Sequence, residues 1–206
     1  MLINGDRRKT FAPLACCVAL LGFIGCVFWY QDWRYSLPTP RPPAWSSPEI
    51  GARLELVGLT AGPEGLPTLL HFFNPDCPCS RFNLEHVREL IAGYRGRVRF
   101  VAVLQWADPA AATASFRRLR LAMEAIPDPT GGIARTCGVY STPQAVVLDS
   151  RGGLQYRGNY NASRYCTNRA SEYARIALDS LLGGEARRSF PVAALTAYGC
   201  PLPRKR

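Results

Sequence analysis

The most restrictive feature of the sequence is an uncharged, apolar run from Phe11 to Tyr30. An α-helix of about this length spans the hydrocarbon layer of a membrane. Three basic residues, 7–9, precede the run. The positive-inside rule then leaves residues 1–10 in the cytoplasm as a short stub and exports the rest of the chain. We therefore predict a single transmembrane helix over residues 11–30, with the lipid bilayer as its partner.

Two cleaved leaders are the alternatives to an uncleaved anchor. The run is long for the apolar region of a signal peptide, and no A-x-A cleavage site follows it. A lipoprotein signal ending at Cys26 has a poor lipobox before it, and the apolar run continues after it to Tyr30. The uncleaved anchor is the interpretation that we carry forward.

The composition divides the remaining chain into three parts. Residues 31–50 contain a cluster of prolines that prevents helix formation and favours an extended, polyproline-like linker. Residues 51–186 alternate short apolar runs with amphipathic stretches, which is the pattern of an α/β domain. Residues 187–206 show no strong period, and we expect them to form a C-terminal tail.

The pattern within the domain predicts its elements in order. A strand at Thr68–Phe73, a helix at Pro78–Tyr94 and a strand at Val98–Gln105 form a βαβ unit. Then come a helix within Ala110–Leu119, a poorly defined segment to Ile126, and a short helix at Gly132–Cys137. A hairpin of Ala145–Leu148 and Leu154–Arg157 precedes a closing helix at Ala170–Leu182.

The formal net charge of +10 does not indicate a nucleic-acid partner. The positive charge comes from arginines scattered along the whole chain. The densest basic groups, 7–9 and 204–206, lie at the termini and are not interleaved with aromatic residues that could stack on bases. We expect no nucleic-acid partner.

The motif that carries chemistry is Cys77-Pro78-Cys79, which directly follows the first predicted strand. Proline suits the first position of a helix, so Cys77 is the expected N-cap. There its sulfur meets unpaired amide groups and the positive end of the helix dipole, which favour the reactive thiolate. The neighbouring charge of Asp76 opposes this effect.

Two landmarks in the sequence resemble those of the thioredoxin-like superfamily, especially its membrane-tethered periplasmic branch. The run from Phe73 to Cys77 is similar to the strand end that leads into the first cysteine of a C-x-x-C motif. The run from Gly138 to Pro143 is similar to the family's loop with a cis-proline. The resemblance covers about residues 51–186. It implies an α/β fold with three α/β/α layers and a mixed central sheet, in which Thr142 and Pro143 position the substrate beside the cysteines.

The chain departs from that family because Ser80 stands where the second cysteine of C-x-x-C would be. Three interpretations of the chemistry remain. Cys77 attacks a substrate and Cys79 resolves the intermediate; or a distant cysteine such as Cys137 resolves it; or Cys77 and Cys79 bind a soft ion such as Cu(I). A peroxiredoxin-like peroxidase is disfavoured by Asn74, and a catalytically inert module is a further alternative.

The other cysteines and the two histidines have structural explanations. We expect Cys166 and Cys200 to form a structural disulfide that attaches the tail to the domain, since an oxidising compartment permits such a bond. Cys137 is expected to be a buried structural thiol. His71 and His86 are expected to be core or flanking residues, and no residue is assigned to a resident metal.

These observations predict a membrane-anchored, extracytoplasmic thiol–disulfide oxidoreductase that acts on protein disulfides through Cys77 and Cys79. It needs no cofactor in this interpretation, whereas the alternative is a Cu(I) or soft-metal binding or chaperone protein. Its expected location is a bacterial inner membrane, with the domain in the periplasm. Its expected partners are a protein thiol or disulfide substrate and a membrane electron donor.

Overall fold

The computed structural model describes residues 5–43, 45–59, 65–75, 77–163, 165–185 and 188–202. The chain divides into two compact units, Met1–Leu37 and Pro38–Arg206. The first unit holds one long helix, and the second holds the α/β domain.

Helix α1, Gly5–Ser36, contains the predicted membrane segment. Within it, Pro13–Trp33 is long and apolar enough to cross a membrane by length and composition, properties that a signal sequence shares. Its large apolar side chains are uncovered by protein: Leu21 is 67% exposed and Phe28 is 72% exposed. An apolar surface on all sides of a helix of this length is typical of a membrane span.

The second unit is built around a five-stranded mixed sheet with the strand order β3-β2-β1-β5-β6. Its strands are β1 Thr68–Phe73, β2 Arg99–Leu104, β3 Glu124–Pro127, β5 Gln144–Leu148 and β6 Leu154–Gly158. Strands β1, β2 and β3 are parallel to their neighbours, whereas β5 pairs antiparallel with both β1 and β6. Two further short strands, β4 Ser141–Thr142 and β7 Cys200–Pro201, form a separate antiparallel pair.

Helices cover both faces of the sheet. They are α2 Pro78–Phe82, α3 Leu84–Gly93, α4 Pro109–Arg117, α5 Gly132–Thr136, α6 Tyr173–Leu182 and α7 Val192–Leu195, with a 3₁₀ turn at Arg169–Ser171. Alternate residues of β1 point to opposite faces. Leu69 packs in the core cluster with α3 and α6, while Leu70 packs in the cluster with α5. The fold is therefore a thioredoxin-like arrangement of three layers with a mixed sheet, as the sequence predicts.

Two predicted elements differ from the observed ones. The helix predicted at Pro78–Tyr94 is divided at Asn83, which caps both α2 and α3. Asparagine has a low propensity for the interior of a helix. The side-chain oxygen of Asn83 accepts a hydrogen bond from the Cys166 thiol at 3.0 Å. Strand β3 occupies a segment for which the sequence predicted no defined element.

The boundaries of the domain also differ from the predicted linker and tail. The compact unit begins at Pro38, inside the predicted linker 31–50. Backbone hydrogen bonds join Thr39 N to Ala197 O at 2.8 Å and Gly51 N to Leu154 O at 2.6 Å. Thr39 and Trp45 of the proline-rich segment therefore pack on the second unit, Thr39 against Ala197 of the tail and Trp45 against Gly138.

Candidate active site

Cys77 lies in the turn between β1 and α2, where the sequence places it. It is the N-cap of α2, with extended backbone angles (φ −86°, ψ 117°), and Pro78 follows in the first turn. Its amide donates to Asn74 O at 3.1 Å, which closes the turn. The side chain is buried, with 2% of its surface exposed. The predicted influence of Asp76 concerns a residue outside the described part of the chain.

Three sulfur atoms meet at this turn. The Sγ atoms of Cys77, Cys79 and Cys200 all lie within 4.8 Å of one another. Cys79 is a buried thiol in the first turn of α2. Cys200 belongs to β7 and is more accessible than the other two. The turn therefore holds one more sulfur than the sequence motif suggested.

Cys77 is bonded to Cys200, with a Cα–Cα distance of 6.1 Å. The prediction of a disulfide between Cys166 and Cys200 is therefore wrong. Strand β7 lies beside β4, which brings Cys200 to Cys77, whereas the Cys166 thiol points to Asn83. The tail is covalently attached to the domain, as expected, but through the candidate catalytic cysteine.

Ser80 occupies the position of the missing second cysteine. It is completely buried, and its hydroxyl accepts a hydrogen bond from Asn74 N at 3.4 Å. The serine thus supports the turn that holds Cys77 and offers no sulfur for exchange.

Thr142 and Pro143 lie beside the disulfide, and the peptide bond between them is cis. The carbonyl oxygen of Thr142 is 3.6 Å from Cys77 Sγ. On the other side, Thr142 is the register partner of Cys200 in the β4–β7 pair. Thr142 therefore contacts the sulfur of one bonded cysteine and pairs with the backbone of the other.

Cys137, the alternative resolving cysteine, lies away from this cluster. It is completely buried in the core face that contains Leu70 and Ile133. Burial raises the pKa of Cys137 to about 12, Asp128 acts in the same direction, and Arg157 opposes it. A thiol in such a site is a poor nucleophile, which agrees with the structural role expected for it.

The two histidines are core residues. His71 is completely buried, and its Nδ1 lies 2.7 Å from the Tyr160 hydroxyl. Burial lowers the pKa of His71 to about 3, so the ring is neutral at physiological pH. Burial also lowers the pKa of His86.

A second group of metal-capable side chains surrounds His86, with Glu89 and Glu172. Arg175 already forms a short hydrogen-bonded ion pair with Glu172 and lies 3.8 Å from Glu89. The guanidinium occupies the place where a cation would bind the two carboxylates. We assign no metal to this group.

The sequence did not identify Cys200 as the partner of Cys77. Several exported cysteines were candidates, and spacing does not rank disulfide connectivities. The signal that points to Cys200 is its local setting, because Gly199 permits a close approach and Pro201 favours an extended chain. Nothing in the sequence indicated that the side chain of Thr39 would hydrogen bond to Gly199, next to Cys200.

Comparison with known proteins places the domain in a family. The family model described as "Domain of unknown function (DUF6436)" matches residues 53–201. The chain belongs to this family. The match includes Cys77, Cys79 and Cys200, so the whole sulfur cluster lies within the family's domain. No curated protein sequence matches the chain.

Two solved structures share the fold of this DUF6436 member, and a third matches part of the chain. A hypothetical protein from Sinorhizobium meliloti 1021 is 20% identical, with a TM-score of 0.59 over 77% of this chain and 96% of its own. An uncharacterized conserved protein from Geobacillus kaustophilus is 20% identical, with a TM-score of 0.60 over 82% and 98%. A secreted disulfide oxidoreductase from Mycobacterium tuberculosis is 22% identical, with a TM-score of 0.41 over 58% and 80%.

Proposed function

We propose that this protein is a membrane-anchored thiol–disulfide oxidoreductase that acts on protein disulfides outside the cytoplasmic membrane. The observation that carries the proposal is the disulfide between Cys77 and Cys200, formed beside the Thr142 carbonyl with a third sulfur, Cys79, within reach. Thiol–disulfide exchange needs adjacent sulfurs, and it needs no cofactor because the sulfurs themselves carry the electrons.

In the proposed reaction, the Cys77 thiolate attacks one sulfur of a substrate disulfide. A mixed disulfide forms, and the other substrate sulfur leaves as a thiolate that takes up a proton. A second thiolate of the protein then attacks Cys77 Sγ, and the substrate is released with both cysteines reduced. Two electrons pass from the protein to the substrate, and a disulfide remains in the protein. A membrane electron donor that supplies two electrons would restore the thiols.

Two sulfurs are placed to release the mixed disulfide. The sequence motif favours Cys79, which is buried beside Cys77. The bond in the structure favours Cys200, because the product of its attack on Cys77 is the disulfide that the structure contains. We propose Cys200 as the resolving cysteine and Cys79 as a second thiol that can exchange with the same bond.

Trapping of mixed disulfides tests this function. Reduced full-length protein in detergent micelles is mixed with insulin, whose interchain disulfides serve as the probe, and adducts are mapped by mass spectrometry. We expect the Cys79→Ser,Cys200→Ser variant to accumulate an adduct on Cys77. The Cys77→Ser,Cys79→Ser,Cys200→Ser variant should form none in this cluster, and Cys166→Ser should behave like the parent. Absence of Cys77 adducts from every variant would contradict the function.

The second candidate function is Cu(I) binding, favoured by the same three sulfurs. Soft thiolates select Cu(I), and a site of three sulfurs within 4.8 Å is compact enough for one ion once the disulfide is reduced. Titration of the reduced protein with Cu(I) in the presence of a competing chelator separates the two functions. Tight binding that requires Cys77, Cys79 and Cys200, together with no exchange on insulin, would favour the metal.

We propose that residues 11–30 anchor the domain in a bacterial inner membrane with the N-terminus in the cytoplasm. The support is the apolar helix and the basic residues 7–9 before it. Protease treatment of spheroplasts tests the orientation. Digestion of the domain without lysis is expected, and protection of the domain until lysis would reverse the proposed orientation.

A further inference from the structure

The last described residues of the chain lie directly across the candidate active site. We call Tyr198–Leu202 the closing segment. Its strand β7 pairs antiparallel with β4, so that Cys200 faces Thr142 and Pro201 faces Ser141. Through the same strand, Cys200 reaches Cys77 and bonds to it. The closing segment therefore pairs with the edge of β4 and is bonded to the sulfur of the candidate nucleophile.

Among the described residues, the closing segment is held by two side-chain hydrogen bonds, by backbone hydrogen bonds and by one apolar contact. Thr39 Oγ1 donates to Gly199 O at 3.0 Å, and Ser141 Oγ donates to Cys200 O at 3.2 Å. Leu202 N donates to Tyr140 O at 3.3 Å, and the Leu202 side chain packs at the edge of the core cluster that contains Leu54. A two-residue strand pair with these contacts is weak by itself, because isolated two-stranded pairs are marginal in water.

The chain just before the closing segment is held much more firmly. Asn159 Nδ2 donates to Ala193 O at 2.8 Å and to Thr196 O at 2.6 Å. Ala194 and Ala197 are completely buried. The change from a firmly bound to a weakly bound chain falls after Ala197, which defines a hinge at that residue.

We propose that the closing segment is a redox-controlled cover of the active site, held shut by the Cys77–Cys200 bond. A dithiol reductant opens the bond by two successive exchanges. The reductant becomes a disulfide, and Cys77 and Cys200 become thiols. The segment then swings out about Ala197 and leaves the β4 edge to an extended, cysteine-containing segment of another polypeptide. This inference rests on the proposed function and names the form of its substrate.

The closing segment also indicates which residues favour docking when they stand next to the cysteine of such a polypeptide. A Cβ atom on Gly199 would collide with the backbone oxygen of Thr142 and would lie 3.0 Å from Ser141 Oγ. Glycine before the cysteine therefore favours docking in this mode, and a larger residue there should slow the reaction. Two residues after the cysteine, Leu202 fills an apolar position at the core edge, so an apolar residue is favoured there.

Hydrogen exchange tests the cover. Full-length protein in detergent micelles is compared when oxidised, when reduced by dithiothreitol, and as the Cys77→Ser,Cys79→Ser variant, in which Cys200 has no nearby sulfur to bond. We expect the amides of Gly199, Cys200 and Leu202 to exchange at least tenfold faster in the last two samples. The amides of 194–197 should be unchanged and serve as the internal control. Equal protection of the closing segment in all three samples would overturn the proposal.

Two peptides test the form of the substrate. Tyr-Gly-Cys-Pro-Leu and Tyr-Ala-Cys-Pro-Leu, each activated as a thiopyridyl disulfide, react with the reduced Cys79→Ser,Cys200→Ser variant. Attack by Cys77 forms the peptide disulfide and releases thiopyridone, which is measured by its absorbance. The rate with Cys77→Ser,Cys79→Ser,Cys200→Ser is subtracted as the contribution of the remaining cysteines.

We expect the glycine peptide to react at least tenfold faster than the alanine peptide. Equal rates for the two peptides would overturn the docking mode while leaving exchange through Cys77 intact. No reaction above the background with either peptide would instead contradict the proposed function. The two failures are therefore distinguishable.

Discussion

Thr39 Oγ1 and Ser141 Oγ lie 3.0 Å apart in the buried interior, although 102 residues separate them in the sequence. Thr39 follows closely after Ser36, the last residue of α1. It also donates to Gly199 O, so one side chain links the start of the second unit to β4 and to the closing segment. Thr39, Ser141 and Gly199 thus belong to one hydrogen-bonded cluster beside the candidate active site.

Replacement of Thr39 by valine should weaken this cluster. The Thr39→Val variant keeps the shape of the side chain but leaves Gly199 O without its hydroxyl donor in a part-buried place. We expect the free energy of unfolding to fall by about 1 to 2 kcal/mol, measured by urea denaturation. Thr167→Val is the matched control, because its hydroxyl is exposed and the expected change is below about 0.5 kcal/mol. Equal changes in the two variants would contradict the role of Thr39.

The central part of the fold was predictable from sequence because its strands are buried on both faces. Strand β1 was predicted at its observed bounds, since all six residues are buried and four of them carry large apolar side chains. Strand β3 was missed because it is an edge strand with Glu124 exposed and no long apolar run. Its pairing depends on β2 and on the ion pair between Arg99 and Glu124, at 2.6 Å, which only the tertiary structure brings together.

The position of Cys77 at a helix start could be predicted from the sequence, whereas its bond to Cys200 could not. Pro78 fixed the position of Cys77 at a helix start, because the local backbone preference of proline determines it. The bond to Cys200 joins residues 123 apart. Local preferences carry no information on such a pair, which depends on how the tail packs against β4.

The disulfide connectivity is itself a prediction. A peptide map of the oxidised, unreduced protein should contain a linked pair with Cys77 and Cys200, and none with Cys166 and Cys200. Under oxidising conditions, Cys200→Ser should lower the free energy of unfolding by about 2 to 5 kcal/mol, because a long loop is no longer closed. Cys166→Ser retains a donor for Asn83 and should change it by less than about 1 kcal/mol. Comparable losses in both variants would restore the alternative connectivity.

Thiol labelling should distinguish the cysteines of the domain. Burial raises the pKa of Cys166 to about 12, as it does for Cys137. In the reduced, folded protein at pH 8, we expect iodoacetamide to modify Cys137 and Cys166 at least about 100-fold more slowly than Cys200, since the thiolate is the reacting form. Mass spectrometry after timed quenching measures the rates. Labelling in urea, where all these thiols should react alike, is the control.

The stability of the domain should fall in mild acid because of His71. The folded state binds the proton of this buried ring only near pH 3, whereas the unfolded chain binds it near 6.5. The stabilisation is therefore complete above pH 6.5 and is lost as the pH falls towards 3, with a slope of about 1.4 kcal/mol per pH unit from this group. His86 acts in the same direction.

A variant isolates the contribution of His71. His71→Gln removes the titrating ring and keeps a polar group that can pair with Tyr160. Urea midpoints measured between pH 4 and pH 7 should depend less steeply on pH in this variant than in the parent. A parallel pair of curves would show that the acid sensitivity comes from other groups.

The docking of α7 depends on the absence of a side chain at Gly158. A Cβ atom there would collide with the backbone oxygen of Ala194, which accepts a hydrogen bond from Asn159 N at 2.8 Å. The two hydrogen-bonded atoms, Asn159 N and Ala194 O, belong to the backbone of a buried region, so neither can move aside at low cost. We expect Gly158→Ala to lower the free energy of unfolding by about 1 to 3 kcal/mol and to increase hydrogen exchange in Val192–Leu195.

Gly93→Ala is the matched control, since its nearest neighbour is an Arg175 nitrogen at 3.8 Å and alanine suits a helix better than glycine. That variant should be as stable as the parent or slightly more so. A Gly158→Ala protein with unchanged stability and unchanged exchange in α7 would show that the tail is not packed against β6 as the structure has it.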